Sequence, residues 1–171
     1  LEKIERQNNR LGFGISYKKI IELKNNNKYF DNALAMYYSS FSVSDKAIGF
    51  TLLVTALEAL LSLSTYSETE NCDACGQTKY KIRATVSENV GLILMDENDS
   101  IKSRIKKLYD KRSKLLHTGS KDITNQDEQE LQEYVRKVLL MYWYTSMNIN
   151  SFEHKAIIKE IQTKKHYQDL M

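Results

Sequence analysis

Leu108-Tyr109-Asp110-Lys111-Arg112-Ser113-Lys114-Leu115-Leu116-His117-Thr118-Gly119 reads as the closing turns of a helix. Ile105, Leu108, Leu115 and Leu116 recur at helical spacing, and Gly119 stands where a left-handed cap ends such a helix. Arg112 and His117 are five residues apart at that end, so a modest distortion of the last turn is needed to bring both toward one ligand. An arginine is a permanent cation whose planar fork suits a phosphate, and a histidine titrates near neutrality. Together they form a pair able to hold a phosphodiester and move its protons. With three His and six Arg in the chain this spacing arises readily by chance, so the surrounding sequence must carry the reading.

The 171 residues, 42% of them hydrophobic, suffice for one domain with a proper core. There is no proline and there are six glycines, so helix breakers are scarce, and Leu, Ala, Lys, Glu and Gln favour helix. The expected fold is all-α, a bundle of about five to six helices. The chain begins with Leu1 rather than Met, which reads as a piece of a longer protein or a trimmed one. No signal peptide is visible, and no apolar run approaches the roughly 20 residues of a membrane span. The longest such run, Ile48 to Leu63, is broken by Thr51, Thr55, Glu58 and Ser62. Two cysteines three apart make no disulfide framework, and the expected setting is a reducing, cytoplasmic one.

The net charge of +3 is unevenly placed. Between Asn98 and Lys121 stand Lys102, Arg104, Lys106, Lys107, Lys111, Arg112, Lys114 and Lys121 against Asp99 and Asp110, a local balance of +6 that leaves −3 for the remainder. This is either a solvated helix face or a track for a phosphate backbone leading to the Arg112/His117 end.

Residues 1–27 read as a connecting arm. A first helix is expected over about 28–41, with Phe30, Leu34, Tyr37, Tyr38 and Phe41 on its apolar face. Ser44 or Asp45 caps a second over about 45–64, where Phe50, Leu53, Val54, Leu57, Leu60 and Leu61 mark a central position. Thr51, Thr55, Glu58 and Ser62 form a narrow polar stripe along it. Glu58 is either a partly exposed edge residue or a group that orients Arg112 or His117, since a buried carboxylate needs a partner.

A polar insert, 65–78, holds Cys72-Asp-Ala-Cys75-Gly, half of a zinc knuckle without its second half. A zinc there would need His154, His166 or the same knuckle of another subunit, and a plain loop is the alternative. A third helix follows over about 79–95, with Ile82, Val86, Val90 and Ile93 or Leu94 on one side. The fourth, about 99–116, carries the opening stretch. The fifth is capped by Asn125 with Glu128, and Leu131, Val135, Val138, Tyr142 and Thr145 form one buried line along it. Residues 151–171 make a last amphipathic helix with His154 and His166 on its surface.

Val54-Thr-Ala-Leu57-Glu58-Ala-Leu-Leu-Ser62, followed after an insert by an apolar helix and then by the Arg112/His117 stretch, resembles the HEPN superfamily, and within it the Apea-like HEPN domains. The likeness spans about 28–150 and joins two separated motifs in the right order. It implies a helical bundle that dimerises and, in many members, a metal-independent endoribonuclease. The superfamily's Arg-x4-6-His motif falls on Arg112 and His117, and the acid of the preceding helix on Glu58. Ser113 stands where active relatives often carry Asn or Asp, and Thr118 where Gly often follows the His.

The chemistry so implied needs no cofactor. RNA carries its own nucleophile, the 2′-OH, and His117 would act as general acid or base while Arg112 clamps the phosphate. A homodimer would supply two histidines, and an inhibitory partner protein would hold a toxic activity in check. Lys107, Lys111 and Lys114 would contact the RNA backbone, and Tyr109 would either stack on a base or lie in the core. The alternatives are a non-catalytic dimerisation, RNA-binding or partner-binding module of a larger defence or regulatory protein, and a zinc-stabilised interaction domain on Cys72 and Cys75.

Overall fold

A computed structural model describes residues 17–62, 70–71, 78–79, 82–96 and 98–163. The described residues form seven helices: α1 (Tyr17–Asn26), α2 (Lys28–Ser42), α3 (Lys46–Leu61), α4 (Ile82–Ile93), α5 (Ser100–Thr118), α6 (Asn125–Asn148) and α7 (His154–Thr163). Between α3 and α4 a two-residue antiparallel ladder pairs β1 (Glu70–Asn71) with β2 (Thr78–Lys79). The architecture is an all-α bundle, and none of its described helices is long and apolar enough to cross a membrane. Cys72, Cys75 and His166 lie outside the described residues.

α3 is the axis of the bundle, packing on α2, α4, α5 and α6. Its sequence shows why: Phe50, Leu53, Val54, Ala56, Leu57, Leu60 and Leu61 are all buried, a belt too wide for one neighbour to cover. Removing each large side chain from water contributes about 2 kcal/mol. Asp45 starts the helix as its sequence foretold, its carboxylate accepting from the amides of Ala47 at 2.8 Å and Ile48 at 3.3 Å. Close approach of α2 requires Gly49, where a Cβ would meet the carbonyl oxygen of Ser40 at 3.2 Å.

The expected buried line of α6 is observed in full, with Leu131, Val135, Val138, Tyr142 and Thr145 all inside. Its start differs from the expectation. Thr124 and Asp127, rather than Asn125 and Glu128, form the reciprocal capping box, while the Asn125 side chain accepts from Lys46 on α3. The Thr-x-x-Asp spacing was as legible as the other, and burial of Asp127 decided between them.

Two further expectations are corrected. Residues 17–26, taken as part of an arm, are α1, and its Leu23 is wholly buried in the core. Asn27 explains the docking: its side chain caps α2 by accepting from the Phe30 amide, and donates to the hydroxyl of Tyr142 at 2.9 Å and the carbonyl of Phe152 at 2.8 Å. His154, assigned to the surface, is buried. It stacks on Tyr29 at 3.9 Å between ring centroids and shares a hydrogen bond with Tyr142. The apolar face of α2 is also narrower than expected: Tyr38 and Phe41, assigned to it, are exposed, and Phe30, Ala33 and Ser40 are its buried positions.

Candidate functional site

α5 is helical without interruption through Thr118. Gly119 closes it in the left-handed region at φ 68°, its amide bonded to the Leu115 carbonyl at 3.0 Å. At the other end Asp99 is itself left-handed and makes no side-chain cap. Asp96 does that work, accepting from the Ser100 amide and hydroxyl at 2.9 Å each and from the Lys102 amide at 2.8 Å. Burial pushes the Asp96 carboxyl up, and these donors outweigh it, holding it below the ordinary range.

The regular helix sorts the candidate residues by direction. Ile105, Leu108 and Tyr109 face the core, and Arg112, one turn beyond Tyr109, reaches Glu58 on α3 with Nη2 3.5 Å from Oε2. His117, Ser113, Lys114 and Lys107 are all exposed. Five residues of undistorted helix set His117 about 140° around the axis from Arg112 and about 7.5 Å along it. The distortion that would aim both at one ligand is absent, so a single chain does not converge them.

What the fold does assemble is Glu58, Arg112 and Tyr109. Both members of the ion pair are largely covered, at 19% exposure for Glu58 and 28% for Arg112. The hydroxyls of the α3 polar stripe turn to their own backbone: Thr51 to the Ala47 carbonyl, Thr55 to that of Thr51, Ser62 to that of Glu58. Arg112 is therefore the cation that holds the Glu58 carboxylate. Burial pushes the Glu58 carboxyl above its ordinary value, and Arg112 draws it back only in part.

Two buried polar atoms in this cluster have no partner among the described residues, Arg112 Nε and the Tyr109 hydroxyl. Buried groups of this kind are normally satisfied, so their occurrence together at one helix turn marks the cluster. Tyr109 is 6% exposed, which places it in the core and removes its ring from a base-stacking role. Burial, then the Glu58 charge, hold its phenol far above the usual value.

The basic track is mostly neutralised within the fold. Asp127, 4% exposed at its side chain, takes Arg104 and Lys111 at 2.8 Å each, and Arg104 also meets Glu130 at 2.7 Å. Burial raises the Asp127 carboxyl, but Lys111, Thr124 and Arg104 overwhelm it and hold it far below the aspartate range. Lys102 pairs with Glu88 at 2.6 Å and Lys121 with Asp45 at 3.1 Å. Lys111, expected to contact nucleic acid, is bonded to Asp127 within the fold. Lys106, Lys107 and Lys114 have no ion pair among the described residues, which reduces the free track to three lysines.

The residues missed from sequence are Asp127, Asn27 and His154. Asp127 carried a signal in its Thr-x-x-Asp spacing, and Asn27 one as the cap of α2, but the bonds of Asn27 to Tyr142 and Phe152 and the burial of His154 carried none, because they depend on how distant elements pack. Among the described residues no group of three His, Cys, Asp or Glu is placed to hold a metal ion. Compared with family models, curated proteins and solved structures, the chain matches none.

Proposed function

We propose that the chain is an RNA-binding domain of the HEPN type that acts as a metal-independent endoribonuclease, with its site completed across a homodimer. The observation that carries the reading is the half-covered Arg112, pinned by Glu58 at the end of the basic helix, with His117 exposed one and a half turns beyond it. The two side chains leave the helix in different directions, so one phosphodiester meets both kinds of group only where two copies bring their α5 ends together. In that assembly Arg112 neutralises the non-bridging phosphate oxygens. His117 of one copy takes the 2′-OH proton and His117 of the other protonates the departing 5′ oxygen, leaving a 2′,3′-cyclic phosphate and a 5′-OH. Ser113, exposed beside Arg112, adds a hydroxyl at the same edge. Lys106, Lys107 and Lys114 supply backbone contacts. Such an enzyme belongs in the cytoplasm, under the control of an inhibitory partner.

The test is cleavage of end-labelled structured RNA in EDTA by the wild type, Arg112→Ala and His117→Ala. Cyclic-phosphate ends that vanish in both variants, with the fold retained, support the reading. Cleavage surviving both substitutions, or none in the wild type, removes it. A second reading, a non-catalytic module, is favoured by one observation: the Arg112–Glu58 pair also serves as a brace between α5 and α3. Under it, Arg112→Ala loosens the bundle and His117→Ala changes nothing.

A further inference from the structure

Glu58 sits where an anion is needed and a carboxylate is poorly served. It is the charged member of a stripe whose hydroxyls are all spent on backbone carbonyls. Its contact with Arg112 is a single 3.5 Å approach rather than a two-pronged fork. The charged group acting on it is Arg112 from α5, and its own charge acts on the Tyr109 phenol of the same helix; among the described residues no charged group from α2, α4 or α6 acts on it. Arg112 in turn keeps its Nε buried with no partner among the described residues, while its side chain as a whole is 28% exposed. The pair is a cation with a replaceable partner.

We propose that Glu58 is the resident anion of the Arg112 site, and that a nucleic-acid phosphate displaces it from Arg112 while the released carboxylate takes up one proton from solvent. This rests on the phosphate-binding reading of Arg112 above. The physical reason is that a covered carboxylate stripped of its cation is costly, and neutralisation is the cheapest relief. The neutral acid is both donor and acceptor, and the Tyr109 hydroxyl, on which the Glu58 charge acts, has no partner among the described residues in the free chain. The phosphate gains the guanidinium, and Glu58 ends as a neutral group. Binding is then linked to proton uptake, and affinity falls by up to about tenfold per pH unit where one proton is taken up.

The experiment uses a single-stranded oligonucleotide with 2′-deoxyribose throughout, which cannot be cleaved by its own 2′-OH. Its binding to the full chain is measured by calorimetry at pH 5–8 in two buffers of different ionisation enthalpy, which counts protons directly. The expected result is uptake in the wild type that exceeds that of Glu58→Gln by about one proton per site, with the affinity of Glu58→Gln less dependent on pH and higher than that of the wild type at pH 8. Binding that is lost in Arg112→Ala but carries no proton uptake in the wild type overturns the displacement and leaves the phosphate site standing. Uptake that persists undiminished in Glu58→Gln also overturns it. Binding that is absent, or indifferent to Arg112→Ala, overturns both this inference and the reading beneath it.

Discussion

The hydroxyl of Tyr142 lies 2.8 Å from Nδ1 of His154, and it already accepts a hydrogen from Asn27 at 2.9 Å. Which of the two donates in the Tyr142–His154 bond is set by the imidazole tautomer, and an unprotonated Nδ1 accepts the Tyr142 proton. Four helices meet at this chain of bonds, since Asn27 joins α1 to α2, Tyr142 lies on α6 and His154 opens α7.

Burial pushes the His154 pKa down to about 4. A base whose folded value lies below its unfolded value, about 6.5, binds fewer protons when folded. Its stabilising contribution is whole above pH 6.5 and disappears as pH falls through the window from 6.5 to 4. The loss amounts to about 2–3 kcal/mol. Urea unfolding at pH 7 and pH 4.5 checks this, and His154→Asn should flatten the difference; equal pH dependence in both proteins would contradict it.

Asp127 sets a second acid limit, at lower pH. Its folded carboxyl lies far below the ordinary value, so its contribution is present above about pH 4 and is lost only as pH falls below that. Asp127→Asn leaves Arg104 and Lys111 facing a neutral group and should cost about 3 kcal/mol at pH 7. Thr124→Ala, which removes one cap bond, should cost about 1 kcal/mol. Thermal melts of both variants give the ranking, and a larger loss for Thr124→Ala would reverse the assignment.

Arg112→Ala and His117→Ala should separate in stability while agreeing in function. The first strands Glu58 and should cost about 1–2 kcal/mol. The second alters an exposed side chain and should fall within about 0.5 kcal/mol of the wild type. Chemical denaturation decides it; a destabilised His117→Ala would show that the imidazole is structural.

The lysines of α5 divide by partner. Lys107→Ala and Lys114→Ala should each lower the slope of log affinity for RNA against log salt by about 1 and leave the melting temperature unchanged. Lys111→Ala should do the reverse, lowering the melting temperature through the loss of its Asp127 contact. Salt titrations beside melting curves test the division, and equal salt slopes for all three would place Lys111 on the RNA track.

Each helix from α2 to α6 was legible because it is written in local terms. The Leu131-to-Thr145 line, the Asp45 cap and the Gly119 stop depend on residues within two or three turns of one another, and periodicity and capping act over that range. The chain's sequence likewise placed Glu58, Arg112 and His117 on their helices and offered Glu58 either as an edge residue or as a group that orients Arg112 or His117. Tertiary structure decided everything that depends on which helix faces which. The docking of α1 hangs on an Asn27–Tyr142 bond across 115 positions, invisible to any local pattern. The basic track looked continuous in sequence, and packing set Asp127 against Arg104 and Lys111, Glu88 against Lys102, Glu58 against Arg112 and Asp45 against Lys121, leaving three lysines without an ion pair among the described residues. The separation of Arg112 from His117 was decided by helical regularity through Thr118, which spacing alone left open. The reason is common to all of these: propensity and periodicity are properties of neighbouring residues, whereas the partner of a buried charge or hydroxyl is chosen by whichever distant group the closing core brings within reach.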